Sequence, residues 1–248
     1  MVKITIVIPT YNEAENLPKL AAALFDLPLS DLNLLVVDDN SPDGTGPIAE
    51  DLARAHPKRV SVIHRPGKLG LGSAYIQGFR GAIDQGADMV CQMDADFSHP
   101  PQKIPELAQA IQSVDVALGS RYVAGGQVDE RWPAWRKGLS AFGNFYARTI
   151  LALPVRDVTG GFRMWRASAL LRMPLERVKS NGYVFQVELA YLANLLGFKV
   201  KEIPIYFADR RWGKSKMSVR IQVEAALRTW LLLGSYLDLR KKHLNPNL

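Results

Sequence analysis

Cysteine is nearly missing from this chain. Cys91 is the only one in 248 residues, which excludes an intrachain disulfide and fits a reducing compartment. Long hydrophobic runs are missing as well. TWLLLGSYL (229–237) falls far below the roughly 20 apolar residues that a bilayer-spanning helix needs. The N-terminal MVKITIVIPTYNE has too short an apolar stretch for a secretory signal and reads as a first strand. With four histidines and one cysteine, no His/Cys cluster suggests zinc, and Ser73 and Ser98 lack the partners of a hydrolase triad. RPGKLGLGSAYIQGF (65–79) is glycine-rich but lacks G-x-G-x-x-G and follows the third apolar run, so a dinucleotide fold fits poorly; the phosphate-loop pattern is absent too.

What is present is an ordinary folded composition, 48% hydrophobic and 22% charged. The net charge of +7 hides an asymmetry. Residues 1–120 carry 9 Lys/Arg against 15 Asp/Glu, a net of −6; residues 121–248 carry 22 against 9, a net of +13. A basic half of this kind meets nucleic acid, anionic lipid or a phosphorylated small substrate, and composition does not choose among them.

Five short, nearly continuous apolar runs (3–9, 32–38, 60–64, 87–93 and 115–120) read as strands buried on both faces. Helix-like stretches near 13–26, 45–55, 71–85 and 102–112 separate them, and the alternation predicts a parallel α/β sheet with right-handed crossovers. In the second half, 132–154 reads as a helix with aromatic and cationic residues at its start. NGYVFQVELAYLANLLGF leads a helix into the strand-like KVKEIPIYF, and a last helix covers about 217–241. The helices near 132–153 and 217–241 either pack on the sheet or lie on a membrane surface. Cys91 reads as a core residue.

Ligands of open parallel sheets bind beyond the C-terminal ends of the strands. Four such ends carry unusual residues: Pro9-Thr10-Tyr11-Asn12-Glu13, then Asp38 to Thr45, then Asp94-Ala95-Asp96, then Gly119-Ser120-Arg121-Tyr122. Each has a structural alternative. Asn12 with Glu15 resembles a helix capping box, and Asp43-Gly44-Thr45 a turn with a cap. A planar ring at Tyr11 beside carboxylates suits a nucleobase, one stacking and the other accepting a ring N–H. Gly70-Leu71-Gly72 would let the backbone approach a ligand near Lys68. Asp94 and Asp96, two apart on a strand, would point one way and hold Mg²⁺ against a diphosphate, with Ala95 as clearance. His99 reads as a turn residue before Pro100, or as a further ligand.

In order, PTYNEAEN, VVDDNSPDGT, KLGLGSAY, QMDADFSHPP, GSRY, DVTGGFR and YVFQVE resemble the family 2 glycosyltransferases of GT-A fold, an α/β fold with a mostly parallel central sheet flanked by helices. Within them the chain is similar to dolichyl-phosphate (polyprenyl-phosphate) mannose synthases of the short form, without transmembrane helices. The resemblance runs from about residue 3 to about residue 220. It implies an inverting transfer of mannose from GDP-mannose to a polyprenyl (dolichyl) phosphate with a divalent metal, Mg²⁺ or Mn²⁺. Pro9, Tyr11, Glu13, Val37 and Asp39 would hold the nucleoside, and Asp94, Ala95 and Asp96 the ribose, diphosphate and metal, with Asp94 and Asp96 as metal ligands. Arg210 and Lys216 would contact donor phosphates, while Arg121 and, less directly matched, Arg136 would take the acceptor phosphate. Asp96, Arg121 and Arg136 are the residues implied in catalysis. Ser98 stands where some relatives carry a glutamine ligand. Lys68, Asp157 and Glu188 would orient groups or contact the sugar.

The resemblance implies a GT-A catalytic domain over 1–216, with a nucleotide and metal half (1–120) and an acceptor half (121–216), followed by an amphipathic helix and tail over 217–248. A cytoplasmic protein is expected, held peripherally on the cytoplasmic face of a membrane, with Trp132, Trp135, Arg136 and Lys137 at the interface. A membrane-anchoring partner protein is a possible addition, and nucleic acid is not an expected partner. Three rivals stay open: a UDP-glucose-dependent (or other UDP-sugar) transferase acting on the same acceptors, a non-catalytic protein that binds lipid or nucleotide sugar, and a nucleic-acid binder that uses the basic half.

Overall fold

The computed structural model describes residues 2–209 and 219–244, with side chains from 225 onward in the second segment. In the first half, β1 (Ile4–Thr10), β2 (Leu32–Asp38), β3 (Val60–His64), β4 (Met89–Gln92) and β5 (Val116–Ser120) alternate with α1 (Leu17–Phe25), α2 (Thr45–Ala55), α3 (Leu71–Asp84) and α4 (Ile104–Ala110). The second half adds β6 (Gln127–Val128), α5 (Ala134–Ile150), β7 (Arg163–Arg166), α6 (Ala167–Arg172), α7 (Gly182–Leu195), β8 (Val200–Pro204), β9 (Tyr206–Phe207), α8 (Val219–Ser235) and α9 (Leu237–Leu244).

The main sheet has the order β3-β2-β1-β4-β7-β5-β8. Its pairs are parallel except that β7 runs antiparallel to both β4 and β5. β6 and β9 form a separate parallel pair. Alternation along the strands splits the core in two. Ile4, Ile6, Ile8, Leu34, Val36 and Cys91 pack with Leu17, Leu20 and Leu24 of α1 and Leu107 of α4. Val7, Leu35, Val37, Val90 and Trp165 face Tyr75 and Phe79 of α3 and Phe185 and Leu189 of α7. Because both faces are covered, β1 and β2 read as continuous apolar runs in the sequence. β3 is different: it is an edge strand and mostly half-buried, so its expected burial on both faces does not hold.

Three expectations are corrected here. The helix expected from residue 13 starts at Leu17; Asn12 sits in the left-handed region (φ 63°) outside it, and the N-cap position is Asn16, so Asn12 and Glu15 do not frame the helix start as a capping box would. The single last helix is two helices that meet at Tyr236. KVKEIPIYF breaks at Ile205 into β8 and β9, which join different sheets.

Helix α3 lies close against β1 and β2 because Gly78 has no side chain. A Cβ there would stand 2.3 Å from Val7 Cγ1 and 3.1 Å from Val37 Cγ2. Gly138, in α5, has nothing within 4 Å of such an atom. Gly78→Val is therefore expected to lose about 3 kcal/mol through overpacking. Gly138→Ala should gain up to about 1 kcal/mol from helix propensity. Urea unfolding of the two variants checks both signs.

Candidate active site

The loops after β1 and β2 are stitched into one unit. Thr10 and Asp38 are register partners, and Thr10 Oγ1 donates to Asp38 Oδ1 at 2.9 Å. Asp38 also accepts from Ser41 N and Oγ, so this buried acid is a strut of the loop. The backbone N–H groups of Asn12, Glu13 and Ala14 donate to Ser41 Oγ, Thr45 Oγ1 and Asp43 Oδ2. Thr45 N and Oγ1 both donate to Asp43 Oδ1. The turn at Asp43-Gly44-Thr45 thus opens α2 after a left-handed Gly44 (φ 92°) and at the same time holds the loop of Tyr11 and Glu13. Asp43 is held below the usual carboxylate range: burial opposes this, but the bonds from Thr45 and Ala14 outweigh it.

Pro9 and Val37 face each other in register at this edge. Tyr11 is half-buried, its ring 4.0 Å from Lys68 Nζ. Asp39 is buried and paired with Arg65: Nη1 donates to Oδ1 at 2.6 Å and Leu69 N to Oδ2 at 3.2 Å. Arg65 was not singled out by sequence, since a lone arginine after an edge strand gives no signal. The close approach at Gly70 and Gly72 is made to the protein itself. A Cβ at Gly70 would meet Asn181 Oδ1 at 2.7 Å, and one at Gly72 the Ser180 carbonyl at 2.4 Å.

Asp94 and Asp96 lie just beyond β4, in a turn, so strand alternation does not orient them as expected. Other contacts do. Tyr75, fully buried on α3, donates its hydroxyl to Asp94 Oδ1 at 2.7 Å. Ser98 N and Oγ both donate to Asp96 Oδ1, at 3.0 and 2.6 Å. Phe97 takes a left-handed conformation (φ 61°) that turns the loop back. His99 is 2% exposed and no surface turn residue. Its ring stacks on Phe162 (5.2 Å, 12°), and Nδ1 accepts the Asp94 N–H, which puts the ring proton of the neutral form on Nε2. Burial holds its pKa below the usual value, against the pull of Asp94, Asp96 and Asp157 and with some help from Arg121. Tyr75 bonds Asp94 through a contact that only the fold creates, whereas Ser98 lies two residues from Asp96. The sequence signal for Tyr75 was its place in KLGLGSAY.

At the end of β5, Arg121 meets Asp157. Nε and Nη2 donate to the two Asp157 oxygens at 2.8 and 2.7 Å, the Arg121 backbone N–H adds a third bond, and Nη2 also donates to Thr159 Oγ1. Nη1 has no acceptor among the described residues. Burial alone would raise the pKa of Asp157, but the charge and hydrogen bonds of Arg121, with Arg163 behind it, bring it below the usual carboxylate value. Arg136 lies 3.8 Å over the Trp132 ring and pairs with Asp209 at 3.1 Å. Trp132 in turn packs edge-on against Phe207, whose ring is 5.2 Å from the Arg121 guanidinium. The two tryptophans expected at an interface are split: Trp132 is buried, and Trp135 is 70% exposed.

Glu188 is set apart from these groups. It is buried in α7, with Oε2 accepting Ser180 N and Oε1 accepting the Tyr236 hydroxyl at 2.7 Å. Each oxygen thus has one bond to the protein's own framework. Arg210 and Lys216 lie outside the described residues.

Among the described residues, no group of three or more His, Cys, Asp or Glu side chains forms a ready-made metal site. The donor set still suits a hard divalent ion, which commonly takes one or two carboxylates and completes its shell with water and phosphate oxygens. The described partners of Asp94 occupy Oδ1 and leave Oδ2.

A mostly parallel sheet with a carboxylate loop at its centre and a buried arginine two strands away belongs to the GT-A fold of glycosyltransferases. Residues 5–173 match the model of glycosyl transferase family 2, and the chain belongs to that family. It is 43% identical over 243 residues (97% of this chain, 98% of the relative) to the undecaprenyl-phosphate mannosyltransferase of Micrococcus luteus. It is 45% identical over 214 residues (86% and 80%) to the polyprenol monophosphomannose synthase of Mycolicibacterium smegmatis. Solved structures with this fold include the glucosyl-3-phosphoglycerate synthase of Mycobacterium tuberculosis with Mn²⁺, UDP and glucosyl-3-phosphoglycerate (TM-score 0.63, 18% identity, covering 97% of this chain and 80% of that one). The mannosyltransferase PcManGT of Pyrobaculum calidifontis, in complex with GDP-Man and Mn²⁺, is another (TM-score 0.61, 16% identity, 99% and 70%).

Asp157→Asn would leave the Arg121 guanidinium buried without its counter-charge. At pH 7 the expected loss is about 3–5 kcal/mol of stability. The folded-state pKa of Asp157 is depressed, so the wild type holds this contribution above the ordinary carboxylate pKa and loses it as pH falls through the lower folded value. The gap between the two proteins should therefore close in that acid window. Urea melts from pH 7 down to pH 2 measure it.

Proposed function

We propose that this protein is an inverting mannosyltransferase that moves mannose from GDP-mannose to a polyprenyl phosphate, giving polyprenyl phosphate β-mannose and GDP. The observation that carries the reading is that the Asp94 loop and Arg121 close on one aromatic cluster: His99 accepts the Asp94 N–H and packs against Phe207, and the Arg121 guanidinium lies 5.2 Å from the same ring. It puts a carboxylate pair suited to a diphosphate beside a cation suited to a second phosphate. Near full-length identity to enzymes named for mannose and polyprenyl phosphates supports the choice of substrates.

In this reading Tyr11, Lys68 and Asp39 form the nucleoside end, with Pro9, Val37 and Glu13 beside them. Asp94 and Asp96 would hold a divalent ion, Mg²⁺ or Mn²⁺, which when bound would offset charge on the leaving diphosphate. Tyr75 and Ser98 fix the carboxylates that face it. Arg121 and Arg136 take the acceptor phosphate. One phosphate oxygen then forms a bond to C1 of mannose from the face opposite the diphosphate, the C1–O bond to the diphosphate breaks, and the anomeric centre inverts. A phosphomonoester already carries about −1.5 to −2 charges near neutral pH, so no general base is needed to remove its proton. Asp157 acts on Arg121, orienting it by two side-chain bonds, and positioning supplies much of the remaining rate. Among the described residues no helix is long and apolar enough to cross a membrane. The lipid acceptor and the exposed Trp135, Phe142, Phe145 and Trp230 support a peripheral seat on a bilayer surface.

The test is a transfer assay with undecaprenyl phosphate and either GDP-mannose or UDP-glucose. Turnover with GDP-mannose and loss on chelation are expected; turnover with UDP-glucose alone would replace the donor assignment. Asp96→Ala should lower the rate by on the order of 10³-fold, the counterpart of several kcal/mol of charge stabilisation. An unchanged rate in excess Mg²⁺ would reject the metal role.

A further inference from the structure

A cavity of about 300 Å³ lies between α5, α7 and α8. Phe142, Ala147, Val184, Val187 and Ala225 give it an apolar wall, and Arg121 is its one charged lining residue among the described residues. The combination is specific: a greasy tunnel with a guanidinium at one place in its wall matches an amphiphile that has an anionic head and a hydrocarbon tail. Asp157 and Thr159 use Nε and Nη2 of that guanidinium, which leaves the Nη1 edge for the head.

The other walls carry the same logic outward. Trp230 Nε1 donates to the Tyr146 hydroxyl at 2.7 Å and ties α8 over α5. Phe142 lines the cavity and is also 62% exposed, so the apolar wall continues to the surface. There it joins exposed Trp135 and Phe145 of α5 and Leu227, Trp230 and Leu231 of α8. A chain longer than the cavity would leave it over a hydrophobic rim.

We infer that this cavity receives the first isoprenyl units of the acceptor, next to its phosphate, and that Gly143 sets the width of the passage. The inference rests on the proposed acceptor class and adds where its tail is read. Gly143 lines the cavity, and a Cβ added there would meet nothing within 4 Å. A side chain added at this position therefore starts in open space on the cavity wall, and it replaces a helix-weakening glycine.

The experiment is calorimetric titration of farnesyl phosphate, a short phosphorylated isoprenoid, onto the full chain without donor. Wild type should bind it, Gly143→Ala should bind it about equally, and Gly143→Trp at least tenfold more weakly. GDP-mannose affinity and the melting temperature should not fall in the Trp variant. If that variant does not fold, Ala226→Phe fills the same space from the opposite wall and should weaken binding similarly. Equal affinity in wild type and a folded filled variant overturns the inference, as does a wild type that does not bind farnesyl phosphate. Mannosyl transfer by wild type is scored separately. Tail binding lost on filling, with no transfer by wild type, would keep the cavity assignment and reject the proposed function; transfer with binding unaffected by filling would do the reverse.

Discussion

Strand β7 runs antiparallel between β4 and β5, so the residues that lead into it arrive at the edge where its two neighbours end. Those residues are Asp157, Thr159 and Phe162. The first two hold Arg121, and the third forms the floor under His99. A parallel strand in that position would deliver its C-terminal end there, and the lead-in residues would lie at the far side of the sheet. The reversed strand is thus what lets the carboxylate loop after β4 and the arginine after β5 share a set of neighbours. Arg163 bears part of the cost. It is fully buried, burial lowers its guanidinium to about 10, and Nε and Nη1 have no hydrogen-bond partner among the described residues. Its Nη2 bonds the Val158 and Gln186 carbonyls, which fixes the turn before β7 to α7.

The central strands were legible because burial on both faces forces an unbroken apolar run, a pattern that survives in sequence alone. β7 was not legible for the opposite reason. Four residues, RMWR, begin and end with arginine, and no propensity argument makes a central strand of them. Only the register against Gln92 and Leu118 explains the first arginine. At the site, residue types and spacing marked the strand ends correctly as unusual but gave little about division of labour. Adjacent Asp38 and Asp39 look equivalent on paper. In the fold, Asp38 bonds Thr10 and Ser41, while Asp39 pairs with Arg65. The partners of Asp94 and Asp96 follow the same rule: Ser98 is local and could be read from a two-residue spacing, whereas Tyr75 is 19 residues away and arrives through helix packing.

The charge asymmetry also takes on a more definite shape. Several cations after residue 120 are held by carboxylates or carbonyls: Arg121 by Asp157, Arg136 by Asp209, Arg177 by Asp238, and Arg166 by the Val114 and Gln112 carbonyls. These guanidiniums of the basic half are thus each oriented by a partner. Orientation matters more than total charge for recognising a single phosphate, because guanidinium geometry sets which donors remain for it.

The bond between Tyr236 and Glu188 has a consequence for how the chain is made. Glu188 sits in α7, and its partner hydroxyl arrives 48 residues later, at the junction of α8 and α9. During synthesis the glutamate emerges well before the tyrosine does. Until then its Oε1 has no donor from the protein, and closing the core over it would strand a polar atom in apolar surroundings. Water must keep that seat in the nascent chain, so the α7 side of the sheet stays open until the C-terminal helices dock. The helices that follow α7 in the chain therefore complete the interior on the side where the proposed acceptor tail enters.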